Sequence, residues 1–396
     1  GLTLALTLNE FGIRVIGIDT DEGVLGKLRN RTPHFFEKGL APLLKKHANT
    51  LLTFSTNLKK EETDIFVICV GTPVDERGHV LTKYLEEAIR NVGHVLKPHD
   101  LIILRSTVPI GTCRSIVIPI VEKESRLSAD RDFFVAFAPE RTVEGRALEE
   151  LRTLPQIIGG FNKQSMDIAS QFFQIFTRTI VGVDSLEEAE AVKLLNNTFR
   201  DVSFGFANEA AQVLSRYGLT ARTIIRAANE GYTRNAIPPP SPGVGGACLV
   251  KDPYIFTQSA RLKGYEPRLP IAARTINESM IDFVTSKVHD FLQNAGKDAA
   301  SAKLFLMGIA FKGTPETSDI RFSTSVDILH QLKKLYQNIA IYDPAAHRSD
   351  LESLGVSVVL DPEHGFQKAD AVLVLNNHQS FTDMDIFSLA FTMNRP

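Results

Sequence analysis

Residues 186–218, LEEAEAVKLLNNTFRDVSFGFANEAAQVLSRYG, decide how the chain divides. The stretch has no proline and a single internal glycine, so it carries no residue that forces a helix to stop. A helix over it would be roughly 45–50 Å long at about 1.5 Å per residue. That length is unusual inside one domain, and we expect this helix to act as a spine between domains.

A polar stripe runs along the predicted helix. Lys193, Asn197 and Arg200 recur at intervals of four and three residues, which places them on one face, and Asn208 continues the line. The rest of the helix is rich in Phe, Val, Ala and Leu. Such a stripe is either a solvent-exposed face or a functional site. Asn and an isolated Lys are poor choices for a merely soluble face, where Glu–Lys pairs are expected, so the pattern favours a site.

The first residues predict part of a dinucleotide-binding βαβ unit. A helix over residues 1–12 is followed by the apolar strand RVIGI and by Asp19, 18 residues after Gly1. In such a unit a Gly-x-Gly-x-x-Gly turn opens the helix, and an acid about 20 residues later binds the adenosine ribose. We interpret Gly1 as the last glycine of that turn, which puts the first strand before the start of this chain. Asp19 favours NAD over NADP, although an acid that merely makes a turn would look the same.

Short apolar runs then alternate with helical segments, as expected for buried parallel strands. The runs lie at residues 64–70, 100–104, 133–138 and 155–160. Because ligands of open α/β sheets bind beyond the carboxyl ends of the strands, we expect Thr72 and Thr107 to lie near a cofactor. Glu140 and Glu144 follow the third run. They are suited to acid–base work or to holding a substrate hydroxyl, and solvated loop charge is the alternative.

The α/β rhythm returns in the C-terminal part, after helices predicted near residues 220–229, 253–264 and 269–289. Strands are predicted in SAKLFLMG, IAIYDP and ADAVLVL, and a further strand is expected beyond the last residue. The expected fold class is therefore α/β. It comprises two Rossmann-like open parallel-sheet domains, joined by the long central helix and a helical middle domain, with the first and last strands missing.

Charged residues follow the first strand of this second half. Lys312, Asp319 and Arg321 lie in the polar segment FKGTPETSDIRFS. Cations at a strand exit suit phosphate, although surface charge would give the same pattern.

A glycine-rich loop between the two halves carries a cysteine. Residues 237–252 read IPPPSPGVGGACLVKD, in which prolines stiffen the chain and glycines allow it to lie close to a ligand. Cys248 is followed by Lys251 and Asp252. A cysteine beside a cation on such a loop favours a nucleophilic thiolate. The alternative is a buried structural cysteine, since cysteine is among the most buried residue types.

The composition is that of an ordinary soluble protein. The chain has 396 residues, of which 43% are hydrophobic and 23% charged, and its net charge of −2 argues against nucleic acid or an anionic membrane as a partner. No apolar run approaches the roughly 20 residues of a membrane span. We interpret Cys69 as strand core and Cys113 as structural, and expect neither a disulfide framework nor a metal site. A reducing compartment, the cytoplasm, fits best.

Taken together, the motifs resemble a known family, the nucleotide-sugar 6-dehydrogenases of the UDP-glucose/GDP-mannose dehydrogenase group. The motifs are, in order, VGTP, STVPIGT, APERTVEGRAL, AEAVKLLNNTFRD, PGVGGACLVKDP, FKGTPETSDIRFS and IYDP. The resemblance covers essentially the whole chain. It is greatest to the branch that acts on UDP-N-acetylhexosamines, either UDP-N-acetylmannosamine or UDP-N-acetylglucosamine.

The resemblance implies a catalytic role for four residues that match the family's motifs. Cys248 would be the nucleophile, Lys193 and Asn197 would hold the oxyanion and the substrate, and Asp252 would help to manage protons near the thiol. Ala247 and Val250 depart from the family, which usually has His or Ser before the cysteine and Pro two residues after it.

The resemblance also implies residues around the cofactor and the sugar. Thr107 and Glu144 would also be catalytic, placed around the attacking water and the sugar. The positions implied on the NAD side are Gly1, Asp19, Thr72, Thr107 and Glu140. The positions implied to contact the UDP-sugar are Glu140, Glu144, Lys193, Asn197, Arg200, Arg234, Gly245, Lys312 and Arg321.

The family oxidises the C6 alcohol of the sugar to a carboxylate with two NAD per turnover. The resemblance implies that reaction here, through a thiohemiacetal and a thioester on Cys248, in a cytoplasmic homodimer that serves polysaccharide biosynthesis. We expect domains over residues 1–185, 186–290 and 291–396. Two alternatives stay open, a two-electron β-hydroxyacid-type dehydrogenase and a truncated paralogue that binds nucleotide-sugars without oxidising them.

Overall fold

The computed structural model describes residues 1–59, 63–75 and 78–394. The chain folds into two compact units. The first comprises Gly1–Asn196 and Tyr254–Glu266, and the second comprises Asn197–Pro253 and Pro267–Pro396. None of the helices in the described ranges has both the length and the apolar character needed to traverse a bilayer.

Parallel strands build the first unit. The strands are β1 (Val15–Ile18), β2 (Leu52–Ser55), β3 (Ile65–Ile68), β4 (Leu101–Leu104), β5 (Phe134–Phe137), β6 (Gln156–Gly160) and β7 (Ile180–Val183). β1 pairs with β2, and the other five form one sheet in the order β3-β4-β5-β6-β7. Every pairing is parallel except β5 with β6, which meet antiparallel over two residue pairs only. The expected open parallel sheet is thus confirmed for β3, β4 and β5, whereas β6 and β7 are parallel to each other and run antiparallel to those three strands.

Helices pack against these two sheets. They are α1 (Leu2–Glu10), α2 (Glu22–Arg29), α3 (Leu40–His47), α4 (Lys83–Val95), α5 (Ile118–Ser125, after a π-helical turn at Cys113–Val117), α6 (Ala147–Thr153) and α7 (Lys163–Gln174). Strand β4 shows how the faces are filled. Its residues Ile102 and Leu104 join a core with α4 and α5, whereas Leu101 and Ile103 join a core with α1 and α7. This alternation is the period of two expected for a strand buried on both sides, and each fully buried aliphatic side chain contributes about 2 kcal/mol.

A helical stretch follows β7 in the chain. α8 (Leu186–Arg216) has 31 residues and confirms the predicted central helix, and α9 (Ala221–Asn229), α10 (Asp252–Arg261) and α11 (Arg268–Asn294) come after it. α8 and α10 each begin in one unit and end in the other.

A second parallel sheet lies in the second unit. Its strands are β8 (Lys303–Met307), β9 (Asn338–Tyr342), β10 (Ser357–Val358) and β11 (Ala371–Val374), in the order β10-β9-β8-β11. The helices around it are α12 (Thr324–Leu332), α13 (Arg348–Glu352), α14 (Pro362–Phe366), α15 (Gln379–Thr382) and α16 (Ile386–Ala390). The α/β class with Rossmann-like parallel sheets, predicted from the strand–helix rhythm, is therefore confirmed.

One cysteine differs from its interpretation. Cys69 is exposed, whereas the sequence pattern placed it in the core of a strand. The strand β3 ends at Ile68, and among the described residues β3 pairs only with β4. Cys69 therefore lies just past the part of β3 that pairs with β4. Cys113 is buried, as expected of a structural cysteine.

Candidate active site

The exits of strands β3 and β4 are tied together. The hydroxyl of Thr72 donates to the carbonyl oxygen of Thr107 at 2.6 Å, and the hydroxyl of Ser106 donates to the carbonyl oxygen of Val70 at 2.7 Å. Thr72 is buried. Its hydroxyl is therefore used to hold the segment that carries Thr107, and the role of either residue at a cofactor stays a prediction.

Glu140 forms an ion pair with a buried arginine. Its carboxylate lies 2.7 Å from the Arg105 guanidinium and also accepts the backbone N–H of Thr142. Arg105 in turn donates to the side chain of Gln156. Burial of the carboxyl acts to raise the pKa of Glu140, but Arg105 outweighs burial and lowers this pKa to about 2. Glu140 is thus an anion at neutral pH, suited to accepting hydrogen bonds and unsuited to donating a proton.

The loop that carries Glu144 is anchored by an acid from elsewhere in the chain. Glu37 is buried, and its carboxylate accepts the backbone N–H groups of Gly145 at 2.8 Å and Ala147 at 2.9 Å. Gly145 has a φ of +92°, which a residue with a Cβ rarely adopts. Sequence reasoning missed Glu37, because nothing local links an acid to backbone groups more than a hundred positions away.

A second buried acid ties α8 to the turn after β4. Glu190, one turn before Lys193, is buried, and its carboxylate accepts the backbone N–H groups of Gly111 and Cys113. Burial raises the pKa of Glu190 to about 7. Burial also raises the pKa of the Cys113 thiol well above its ordinary value, and the Glu190 carboxyl adds to that effect. Glu190 was also missed, since it lies in a run of helix-favouring residues.

Part of the polar stripe of α8, which the sequence predicted to be a functional site, is buried. Lys193 and Asn197, one helical turn apart, are only 8% and 6% exposed, whereas Leu195 and Phe199 are 58% and 70% exposed. The usual arrangement of a surface helix is thus reversed along this part of α8. Arg200 is exposed.

A buried carboxylate links α8 to the cysteine loop. The side-chain amide of Asn197 donates to Asp252 at 2.5 Å, and the ammonium of Lys251 lies 2.9 Å from the other oxygen of Asp252. Asp252 is fully buried at the start of α10. The structure therefore brings Asn197 and Asp252 together, although they are 55 positions apart in the chain.

Cys248 lies one turn before α10. Its carbonyl oxygen accepts the backbone N–H groups of Lys251 at 3.2 Å and Asp252 at 2.9 Å, so the residue forms the N-terminal edge of that helix. In general, a helix N-terminus favours a thiolate over a thiol. Cys248 is exposed, which contradicts the alternative of a buried structural cysteine.

The glycines of the loop allow it to lie on the segment after β8. The backbone N–H of Gly246 donates to the carbonyl oxygen of Phe322 at 2.9 Å, and a Cβ on Gly246 would lie 2.8 Å from the ring of Phe311. A Cβ on Gly245 would lie 2.4 Å from the same Phe322 oxygen. Only glycine fits at these two positions without a shift of the backbone.

That segment carries the two cations predicted to bind phosphate. The guanidinium of Arg321 pairs with Asp319 through two nitrogens, at 2.9 and 2.7 Å, and its side chain is 76% exposed. The ammonium of Lys312 lies 5.3 Å from the centre of the Phe311 ring. The structure thus joins the cysteine loop and this segment within the second unit.

The remaining predicted residues lie at exposed positions. Asp19 follows β1, and its carboxylate accepts the backbone N–H of Asp21 at 3.0 Å. Gly1 precedes α1 as its N-cap residue. The guanidinium of Arg234 lies 4.6 Å from the centre of the Tyr232 ring. The functional roles of these residues stay predictions.

Comparisons with known proteins show the family of the chain. Three models of the UDP-glucose/GDP-mannose dehydrogenase family match the chain in order. The NAD binding domain matches residues 1–177, the central domain residues 187–279, and the UDP binding domain residues 305–396.

Individual relatives cover almost the whole chain. The UDP-N-acetyl-D-mannosamine dehydrogenase of Pyrococcus horikoshii is 31% identical over 99% of this chain and 90% of its own length. The UDP-N-acetyl-D-glucosamine 6-dehydrogenase of Pseudomonas aeruginosa is 30% identical over 97% of this chain and 89% of its own length. A solved structure of the UDP-D-ManNAc dehydrogenase from Pyrococcus horikoshii superposes with a TM-score of 0.90 at 30% identity, covering 100% of this chain and 91% of that one. The chain therefore belongs to the UDP-glucose/GDP-mannose dehydrogenase family and is an NAD-dependent nucleotide-sugar dehydrogenase.

Proposed function

We propose that the protein oxidises the C6 primary alcohol of a UDP-N-acetylhexosamine, UDP-N-acetylmannosamine or UDP-N-acetylglucosamine, to the uronate. The reaction is a four-electron oxidation that consumes two NAD and one water per sugar. One observation carries the proposal: an exposed Cys248 lies at the N-terminal edge of α10, beside the fully buried Asp252 that Asn197 of α8 holds. A two-electron oxidation of an alcohol has no use for a thiol so placed.

The residues at the start of the chain fit the adenosine end of NAD. Asp19 offers an exposed carboxylate at the exit of β1, which suits two ribose hydroxyls. The N-terminal end of α1 has no side-chain cap, so its backbone N–H groups are suited to a pyrophosphate. When bound, NAD supplies the hydride acceptor for each of the two oxidations. We propose Gly1, Asp19, Thr72, Thr107 and Glu140 as its contacts.

The chemistry at the sugar follows from the cysteine loop. The Cys248 thiolate adds to the C6 aldehyde and forms a C–S bond, so that the aldehyde cannot leave before the second oxidation. Lys193 and Asn197 donate hydrogen bonds to the oxygen that becomes negatively charged. The second oxidation removes a hydride from the C6 carbon of this adduct and its hydroxyl proton, which leaves a thioester. Water then attacks the thioester carbon, the C–S bond breaks, and the sulfur leaves as thiolate. Asp252, held in one orientation by Asn197 and Lys251, manages the protons of this step.

Residues of the APERTVEGRAL segment support the hydrolysis. We propose that Glu144, with Thr107, positions the attacking water and a sugar hydroxyl. The Glu37 carboxylate, which holds the backbone on both sides of Arg146, keeps the Glu144 loop in one conformation. Glu140, an anion fixed by Arg105, contributes a hydrogen-bond acceptor.

Recognition of the nucleotide-sugar is proposed for exposed cations. Lys312 and Arg321 follow β8 at a strand exit, where the diphosphate of UDP would be neutralised. Gly245 lets the sugar approach the loop backbone, and Arg200 and Arg234 contact the sugar. The match of the UDP binding domain to residues 305–396 supports this assignment.

We further propose a homodimer in the cytoplasm. An apolar stripe of exposed side chains runs along the outer face of α8 and just past its end. Its members are Leu195, Phe199, Phe206, Val213 and Tyr217. A contiguous apolar stripe of this kind fits a second copy of the chain. Domains over residues 1–185, 186–290 and 291–396 are proposed as well, and the three family-model matches support these bounds. The product, a UDP-uronate, suits polysaccharide biosynthesis.

The experiment measures NADH formation with UDP-N-acetylmannosamine, UDP-N-acetylglucosamine and UDP-glucose. We expect two NADH per sugar, no uronate with Cys248→Ala, and unchanged turnover with Cys69→Ala, which removes the other exposed cysteine. In a Glu144→Gln variant, mass spectrometry is expected to detect a thioester on Cys248. One NADH per sugar together with a fully active Cys248→Ala would favour the two-electron dehydrogenase. UDP-sugar binding without NAD binding by calorimetry would favour a non-catalytic paralogue.

A further inference from the structure

Asn208 of α8 reaches the cysteine loop through a backbone hydrogen bond. It is fully buried, and its side-chain oxygen accepts the backbone N–H of Ser241 at 2.8 Å. Its amide nitrogen donates to the side-chain oxygen of Asn277 on α11 at 2.9 Å. The second bond fixes which end of the Asn208 amide faces the loop, because the acceptor on Asn277 requires the nitrogen on that side.

The orientation of Asn277 is fixed in turn by α8. Its amide nitrogen donates to the backbone and side-chain oxygens of Asp201, at 3.0 and 2.9 Å, and the guanidinium of Arg274 lies 2.8 Å from the same carboxylate. All four side chains are buried. Hydrogen-bond donation therefore runs from the loop N–H of Ser241 through Asn208 and Asn277 to the Asp201 carboxylate, which also accepts from Arg274.

Ser241 is the single residue of the segment 238–242 that has a backbone N–H. Residues 238–242 read PPPSP, and proline has no backbone N–H. Asn208 accepts that single donor. The Ser241 hydroxyl makes a separate, local bond and donates to the carbonyl oxygen of Gly243 at 2.6 Å. Farther on, Gly246 donates its N–H to Phe322, two residues before Cys248.

We propose that Asn208 is a positioning residue of the proposed reaction, one that holds the cysteine loop through Ser241 and so fixes the place of Cys248. The inference rests on the proposed function for its catalytic consequence only. Whether the loop is held by Asn208 is a property of the folded chain, and it is measurable without substrate or NAD.

The experiment compares the rates at which iodoacetamide alkylates Cys248 and Cys69 in the same molecule, read by peptide mass spectrometry. Both cysteines are exposed, so Cys69 is an internal reference for the condition of the sample. In Asn208→Ala we expect the Cys248 rate to fall at least about three-fold relative to Cys69, because a thiol that leaves the N-terminal edge of α10 loses thiolate character. We also expect kcat to fall on the order of 10- to 100-fold with little change in KM.

Gln212→Ala is the matched control on α8. Gln212 lies one turn beyond Asn208 and also bonds to α11, through Ser279 and Met280, but it does not bond to the loop. We expect this variant to lower the thermal midpoint without changing the ratio of alkylation rates. An unchanged ratio in Asn208→Ala, with a loss of thermal midpoint like that of Gln212→Ala, would overturn the proposal.

A second pair of variants leaves both helices intact. Ser241→Pro removes the backbone donor, whereas Ser241→Ala keeps it and removes only the hydroxyl. We expect Ser241→Pro to lower the ratio at least three-fold below that of Ser241→Ala, and equal ratios in the two variants would also overturn the proposal. If the wild-type protein forms no NADH from any UDP-sugar, the proposed reaction fails, while the alkylation ratio still decides whether Asn208 holds the loop.

Discussion

Replacing Asn197 by Ala removes one defined hydrogen bond from the interior of the second unit. The Asn197 amide donates at 2.5 Å to Asp252, which is fully buried. In the variant the oxygen that faced Asn197 loses this donor, while the other oxygen keeps the Lys251 ammonium at 2.9 Å. The folded state then holds a buried carboxylate oxygen deprived of its donor, whereas the unfolded chain exposes both oxygens to water.

The size of the loss follows from that geometry. A hydrogen bond to a charged group contributes about 1.5–3 kcal/mol to stability, and leaving a charged acceptor unpaired costs at least as much. The helix propensity of Ala exceeds that of Asn by up to about 0.7 kcal/mol, which offsets part of the lost stability. Asn196→Ala makes the same substitution one residue earlier on the same helix, at an exposed position, so it carries the propensity gain alone.

The assay is urea unfolding of the two variants side by side at neutral pH. We expect the free energy of unfolding of Asn197→Ala to lie about 1.5–3 kcal/mol below that of Asn196→Ala. We also expect kcat of Asn197→Ala to fall on the order of 100-fold, as for loss of an oxyanion donor, with Asn196→Ala unaffected. A difference in unfolding free energy smaller than about 0.5 kcal/mol would refute the reasoning that the bond to Asp252 is stabilising.

Three further predictions concern other elements. Gly245→Ala would place a Cβ 2.4 Å from the Phe322 carbonyl oxygen, so the loop must shift; we expect a loss of about 1–3 kcal/mol in urea unfolding and a fall in kcat. The pKa of Glu190 is raised from 4.5 to about 7, so the folded state binds its proton more tightly than the unfolded state does. The wild type should therefore lose about 3 kcal/mol of stability from this group as pH rises from about 4.5 to 7, and the pH dependence of unfolding should lack that loss in Glu190→Gln. Phe199→Glu puts a charge on the apolar face of α8 and should yield monomers in sedimentation, whereas Tyr84→Glu, also at an exposed aromatic position, should not.

Each of these has an outcome that contradicts it. Gly26→Ala, in α2 with open space around the added Cβ, is the control for the glycine variant, and equal stability of the two variants would contradict the close contact. Identical pH profiles of unfolding for wild type and Glu190→Gln would show that the carboxyl is not buried in the folded protein. Sedimentation of the wild-type chain as a monomer would contradict the proposed homodimer.

Much of the fold could be predicted because its signals are local. The 31-residue α8 follows from a stretch without helix breakers, and β4 follows from an apolar run bounded by polar residues. The same reasoning placed Cys248 on a glycine-rich loop next to a cation. It was wrong for Cys69, because whether a neighbouring strand covers an apolar run depends on strand order, which the run itself does not contain.

Part of the candidate site could not be predicted, because it depends on pairs of residues far apart in the chain. Glu37 holds the Glu144 loop across more than a hundred positions, and Asn208 holds Ser241 across 33. Periodicity reports which face of a helix or strand is apolar. It does not report which backbone group a buried polar side chain will meet.

Glu140 and Glu190 show which properties the sequence determines and which only the tertiary structure decides. The sequence by itself determined that Glu140 follows a predicted strand and that Glu190 lies on the central helix. From the chemistry of the side chain alone, each carboxyl would have an ordinary pKa. Only the tertiary structure decided that Glu140 lies against Arg105, with a pKa of about 2, and that Glu190 is buried on backbone N–H groups, with a pKa of about 7. The physical reason is that a pKa is set by the charges and the solvent within a few ångströms, and folding chooses those neighbours from distant parts of the chain.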